Sequence, residues 1–483
     1  MNKYLLPLSA AVLLLSGCMV GPKYTRPTAP LAPDFKELTN WKESDGWKVA
    51  QPDSTLIRGK WWELYGDPKL NELEEQVEPS NQSLKIAEAN FREARAAIRF
   101  NRAAEAPTIG TSPSVSAVRD SANQPYFSPS LANNGTGSFT LPFDLNYEVD
   151  LWGRVRRTVT ASREQAQASA ADLETARLSL HAEVAIDYFE VRSADAQKKL
   201  LDDTVAAYRQ ALELTVNRFE GGAAPESDVA QAKTQLDAAR VQASEITVQR
   251  AQYEHALAIL IGKPPAAFNL QPIPLNLQPP AMPSIPVVLP AQLLERRPDI
   301  ASAERHMAAA NEQIGIAQAA YYPTLNLSAA AGFEGSSLLN WFNWPSRFWA
   351  VGPGLSETLF DAGRRRATTD TAKAGYDSAV ANYRQTVLTS FQQVEDNIVV
   401  LHVLQTESAQ QHEATGSAEK ALQLFQNRYE GGVDTYLQVV TSQTTALANE
   451  RNDIDIMRRQ FEANVLLIKA LGGGWDVTTL PKL

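Results

Sequence analysis

The stretch Asn217-Arg218-Phe219-Glu220-Gly221-Gly222 returns 210 residues later as Asn427-Arg428-Tyr429-Glu430-Gly431-Gly432. Gly153-Arg154 matches Gly363-Arg364 at the same offset, and Ile261-Gly262 matches Leu471-Gly472. Three landmarks that keep register without a gap mark an internal duplication, which decides how everything else is read. Upstream, Ala103 to Pro107-Thr108 pairs with Ala319 to Pro323-Thr324, now 216 apart. The difference places a loop of variable length between Thr108 and Gly153.

Each repeat reads as helix, strand, loop, strand, long helix, Gly-Gly turn and return helix. The first helices fall near 80–106 and 299–322. The long ones cover 153–220 and 363–430, and neither contains a proline. At 1.5 Å per residue each makes a rod of about 100 Å. No globular core is that wide, so such rods must lie side by side, as in coiled coils. The return helix carries one dense seam (Val229, Ala232, Leu236, Ala239, Ala243, Ile246) and a thinner one through Val241 and Val248. Two seams allow each helix to touch two neighbours and form an open cylinder; a solid four-helix bundle is the simpler alternative.

From Phe139 to Leu151 the odd positions are all apolar, whereas the even ones include Asp144, Asn146, Glu148 and Asp150. Such alternation over about 13 residues meets the 9–11 needed for a tilted membrane strand. Leu325, Leu327, Ala329, Ala331 and Phe333 alternate likewise. Weaker strands fall near Ile109–Ala117 and Trp349–Leu359. Lipid tolerates strands only in a closed barrel. Four strands cannot close, so two, three or four copies would give 8, 12 or 16 strands. A soluble β-sandwich face is the alternative, but a sandwich does not continue into long rods.

Composition narrows the function. The 483-residue chain is 44% apolar with a formal charge of −10, against the basic face of a nucleic-acid protein. Its mean hydropathy of −0.28 excludes a multi-span helical membrane protein. One cysteine and five scattered histidines offer no metal-binding spacing, and there is no Walker-type glycine loop. The expectation is no enzyme, no metal and no cofactor beyond a covalent lipid. Lys3, the apolar run Tyr4–Leu15 and Ser16-Gly17 read as a secretory signal. Leu15-Ser16-Gly17-Cys18 resembles a bacterial lipoprotein signal; the resemblance implies that Cys18 is lipidated and, with Met19 rather than Asp after it, that the outer membrane is the destination. Expected organisation is a signal at 1–17, an extended and belt-forming segment at 18–79, repeat 1 at 80–262 (strands about 108–118 and 138–151), a linker at 263–298, repeat 2 at 299–472 (strands about 324–333 and 348–360) and a tail at 473–483. Ten of the linker residues are proline.

Trp61-Trp62-Glu63-Leu64-Tyr65-Gly66-Asp67-Pro68, Arg296-Arg297-Pro298-Asp299-Ile300, Ala303-Glu304, Ala310-Asn311, Ile314-Gly315 and the duplicated turn motif together resemble the outer-membrane efflux proteins, the TolC-like exit ducts, in their lipoprotein branch. The resemblance covers nearly all of the mature chain. It implies a mainly α fold with a transmembrane β-barrel portion: a homotrimer with a 12-stranded barrel continuing into a periplasmic α-helical barrel. It also implies a periplasmic membrane-fusion adaptor, an inner-membrane pump of the resistance–nodulation–division class, and outer-membrane lipid as partners. The function implied is passive conduction of small molecules, opened by adaptor contact. Protein or peptide secretion, and a non-conducting coiled-coil lipoprotein, are the competing readings.

Functional residues are expected in three places. Arg218, Gly221, Gly222 and Asp228, with Arg428, Gly431 and Gly432, would form the adaptor-contacting tip, Asp228 and Asp434 starting or capping the return helices. Asp434, Tyr436, Gln438 and Thr441 would line the periplasmic gate; relatives carry aspartates where this chain has Gln438 and Thr441. Asp144, Asn146, Glu148 and Asp150 would face the barrel lumen. Arg154, Arg156 and Arg157, with Arg364 to Arg366, sit against the helix dipole and need acidic or lipid-phosphate partners. Trp341, Phe342, Trp344, Phe348 and Trp349 suggest an aromatic membrane girdle.

Overall fold

The computed structural model describes residues 19–30, 32, 34–38, 59–119, 121, 135–273 and 290–483. The signal, Cys18 and the linker prolines between 274 and 286 lie outside the described residues. Eight helices appear among them: α1 (Pro68–Ser80), α2 (Gln82–Arg102), α3 (Arg154–Glu220), α4 (Glu226–Leu260), α5 (Pro290–Arg296), α6 (Pro298–Ala319), α7 (Arg364–Glu430) and α8 (Tyr436–Ala470). Five strands accompany them: β1 (Thr108–Thr111), β2 (Ser114–Val118), β3 (Thr136–Val149), β4 (Thr324–Gly335) and β5 (Arg347–Ser356).

The two long helices each run 67 residues without a break. Two layers of partners sustain that length. One part of α3 pairs with α4 in an antiparallel hairpin, and another packs against α2 and α6. α7 pairs with α8 in the same way, and α6 lies between α3 and α7. The expected Ile261-Gly262 and Leu471-Gly472 landmarks have a steric cause. A Cβ on Gly262 would come within 2.3 Å of the Ser80 carbonyl, and one on Gly472 within 2.0 Å of the Arg296 carbonyl. Each return helix therefore ends against the chain entering that repeat's first helix.

The sheet is antiparallel, in the order β1/β2–β3–β4–β5. β1 and β2 keep one register along β3, interrupted only at Ser112-Pro113. The single first strand expected over 108–118 is thus delivered in two pieces, because proline brings no N–H to the ladder. The fourth strand ends at Ser356 rather than 360. Opposed residues share a face, so the register sorts the sheet into rungs. Ile109, Leu145, Ala329 and Val351 make one apolar rung; Thr108, Asn146, Ser328 and Gly352 make a polar or small one.

The largest core lies where the repeats meet midway along the rods. Phe189 of α3 stacks on Phe461 of α8 with centroids 4.3 Å apart, and the Tyr65 ring meets Phe189 edge-on at 5.1 Å. Trp61, Leu70, Leu73, Leu270 and Leu293 join the same cluster, so segments flanking both repeats contribute to it. Burying a side chain of this size contributes about 1.5–3 kcal/mol. Asp67 accepts the Lys69 and Leu70 amides as the N-cap of α1. Asn81 caps α2 and donates to the Leu260 carbonyl at 2.7 Å, tying the two ends of repeat 1 together.

Candidate functional site

The sheet leaves its apolar side uncovered. Ile109, Val115, Phe143, Trp349, Val351 and Leu355 are exposed, and all occupy odd positions. β1/β2 pair only with β3 and β5 only with β4 among the described residues, leaving both sheet edges open. An apolar face with open edges is the combination that lipid permits only after closure. On the opposite face lie Asp144, Asn146 and Glu148. Glu148 accepts from Arg154 Nε at 2.9 Å, and Asp150, just beyond the strand, accepts from Arg156 Nε at 3.1 Å. Two of the four expected lumen groups therefore also anchor the start of α3. Near the β4–β5 turn, Trp341 stacks on Phe342 at 4.8 Å while Trp344 and Trp349 are exposed.

Arg157 departs from expectation. It is buried, 3% exposed, and pairs through Nη1 with Glu312 of α6 at 2.6 Å. Its Nε donates to the Val20 carbonyl at 2.7 Å. It therefore cannot meet lipid phosphates; its charge is consumed in clamping the segment that follows Cys18. Val20 in turn donates to the Trp152 carbonyl, and Met19 lies against Gly153. The chain next to Cys18 is thus seated at the foot of the sheet. Arg365 pairs with Asp361 at 2.7 Å, matching the acid expected there, while Arg364 and Arg366 stay exposed.

At the other end, both Gly-Gly turns close alike. Ala223 N–H donates to the Arg218 carbonyl and Val433 N–H to the Arg428 carbonyl. Gly222 and Gly432 both adopt φ +73, the left-handed stop that glycine accommodates. The capping role expected of Asp228 and Asp434 is not observed: the N-caps are Pro225 and Thr435, and neither makes a side-chain cap bond. Asp228 stands in the first turn of α4, where a negative charge favours the dipole. Asp434 precedes α8 and accepts from Arg428 Nε at 2.5 Å.

The matching position in repeat 1 is Ala224, so Arg218 lacks the acid that Arg428 meets there. It crosses to the other hairpin instead, donating to the Tyr429 carbonyl at 2.7 Å and lying 4.4 Å over the Tyr429 ring. Gln438 and Thr441 are exposed on α8 near half-buried Asp434. Tyr436 turns away from them. It is 2% exposed and packs with Tyr429, Ala232 and Val439; burial, then Tyr429, pushes its hydroxyl up to about 12. The structure brings three of the four expected gate residues to one region and uses the fourth to join the hairpins.

One buried polar group had no motif to announce it. Glu74 of α1 is fully enclosed, with Oε2 2.7 Å from His181 Nδ1, and Trp62 stacks on that imidazole at 4.4 Å. Burial raises the Glu74 carboxyl to about 7 despite the opposing pull of His181. Only Trp62, in the Trp61-Trp62 string, lay in a sequence signal pointing here.

Comparison with known proteins agrees with this architecture. The profile of the family described as outer membrane efflux protein matches residues 73–263 and 289–473. The solvent efflux pump outer membrane protein SrpC of Pseudomonas putida is 31% identical over 97% of this chain and 98% of its own. Outer membrane protein OprJ of Pseudomonas aeruginosa is 32% identical, covering 96% and 94%. Among solved structures, the outer-membrane channel OprN superposes with a TM-score of 0.86 at 28% identity over 95% of this chain and 100% of that one. The open state of the MtrE outer membrane channel of Neisseria gonorrhoeae gives 0.82 at 26%, covering 95% and 99%.

Proposed function

The chain belongs to the outer membrane efflux protein family, and from that premise we propose that three copies form the exit duct of a tripartite efflux pump. The observation that carries this reading is the open-edged sheet with its exposed apolar side. Three copies, each contributing four full-length strand positions, close it into 12 strands, with the side bearing Asp144, Asn146 and Glu148 toward the lumen. The long helices continue the tube into the periplasm. A lipid on Cys18 would enter the membrane beside the strand–helix junction, which the seating of Met19 and Val20 supports.

The far tips form the gate. Arg218 on Tyr429 joins each protomer's two hairpins, and Arg428 on Asp434 braces the turn of the second, in the closed arrangement. A periplasmic adaptor that competes for these groups releases them, and an inner-membrane pump, of the resistance–nodulation–division class, supplies the energy. Planar-bilayer recording of the purified full-length protein tests this. Arg218→Ala combined with Asp434→Ala should raise single-channel conductance several-fold over wild type. Equal conductance would remove these contacts from the gate.

A further inference from the structure

The chain fills one helix junction and leaves its duplicate open. At the filled junction, α6 lies along α3. Arg157 of α3 occupies the space above Gly315 of α6, where a Cβ would meet the guanidinium at 2.3 Å. Arg305 of α6 reaches Glu164 at 2.8 Å and Gln167 at 3.2 Å on α3. By the repeat offsets, α7 stands in for α3 and α2 for α6. The register of α2 on α6 is firm: Leu84, Ala87, Glu88, Ala94 and Ile98 fall on Ile300, Ala303, Glu304, Ala310 and Ile314. On α6 that shared side faces its own long helix, with Ile300 and Ala303 packed on Tyr383 and Val387 of α7.

The remaining sides differ between α2 and α6: on α6 they are largely buried, on α2 largely exposed. On α7 the positions matching Arg157, Ala161, Glu164 and Ala168 are Ala367, Thr371, Ala374 and Ser378, all small and exposed. On α2 the positions matching Arg305, Ala308, Glu312 and Gly315 are Ala89, Arg92, Ala96 and Arg99, of which both arginines are exposed. The fit is inverted: Arg157 above Gly315 becomes Ala367 beneath Arg99. Charge agrees with size. The arginines stand seven residues apart, and Asp370 and Asp377, also seven apart, flank the small stripe on the exposed surface of α7. Among the described residues neither arginine has an acidic partner within its own chain.

We propose that α2 of one copy docks on α7 of the next, with Arg99 over Ala367 and Asp370 and Arg92 beside Asp377. This rests on the three-copy reading and specifies its seam. Such a contact repeats the filled junction around the ring, so every long helix gains a short helix on each flank.

The full-length protein carrying Arg99→Cys and Ala367→Cys tests the seam, since Cys18 is the only native cysteine. A short bis-maleimide should link most chains into species of two and three, while either single variant stays at one. Native mass measured on the same sample separates the two readings. Trimers without cross-links would overturn the seam and leave the three-copy reading standing; chains that never exceed one copy would overturn both. Charge reversal gives a second arm. Arg92→Glu with Arg99→Glu should abolish heat-resistant trimers, and adding Asp370→Arg with Asp377→Arg should restore them. No restoration would count against the pairing.

Discussion

The two long helices have the same length and fold, yet α3 buries 24 of its residues and α7 only 11. Both descend from one duplicated unit, but they differ in their neighbours within the chain. α3 is flanked within the chain by α2 and α6 and also packs on α1 and α8, whereas α7, apart from its hairpin partner α8, meets chiefly α6. Exposed Val399, Val400 and Val403 on α7 extend the contrast. The second repeat is therefore folded as though a neighbour were present. The sheet repeats the lesson at its two edges.

The sharpest way to break this comparison is at the filled junction. Arg157→Met should leave Glu312 buried without its cation and free the Val20 carbonyl, costing about 3–5 kcal/mol. Guanidinium unfolding of the detergent-solubilised protein would measure it. An effect below 1 kcal/mol would mean that the clamp does not hold the repeats together. Arg365→Met, at the start of α7, loses a partly exposed pair with Asp361 and a contact with the Tyr321 ring, and should cost far less.

A pH profile probes the midpoint core. Because the folded-state pKa of Glu74 is raised to about 7, its contribution is fully present below its unfolded value, near 4.5, and is lost as pH rises through 7. His181, also raised, acts in the same sense; Glu78, lowered, acts in the opposite one as pH falls. Glu74 alone should lower stability by about 2–3 kcal/mol from pH 4.5 to 7, and Asp187 and Glu450, also raised to about 7 by burial and neighbouring carboxylates, add to the fall. Glu74→Gln should make that slope shallower by its own share, and an unchanged slope would assign the fall to Asp187 and Glu450.

The smallest expected effects lie at the tips, where the repeats differ by Ala224 against Asp434. Arg218→Ala should cost about 2 kcal/mol by losing a charged hydrogen bond and a ring contact. Arg428→Ala breaks an exposed pair and should cost about 0.2–1 kcal/mol. Hydrogen exchange of the turn amides would rank the two, and the reverse order would contradict the cross-hairpin role of Arg218.

Much of this architecture could be read from the residues because its signals are periodic and repeated. The duplication, the proline-free rods and the alternation from Phe139 onward each rest on many positions. The tip was less legible because single-residue phases decide it. Asp434 lies one residue before the N-cap, so it meets Arg428 rather than the helix amides. Tyr436 and Gln438 are two apart on α8, which turns their side chains to different sides. The burial of Arg157 depends on Glu312 and Gly315, 155 and more residues away, and no local pattern announces such a partner.

The central claim is that the polar side of the sheet lines a water-filled lumen made by several copies. Planar-bilayer conductance of Asn146→Cys, recorded before and after a membrane-impermeant charged thiol reagent, tests it most directly. Discrete channels whose conductance falls on modification, with Leu145→Cys channels unaffected, are the predicted result. Inserted protein that conducts nothing, or equal block at both positions, would contradict it.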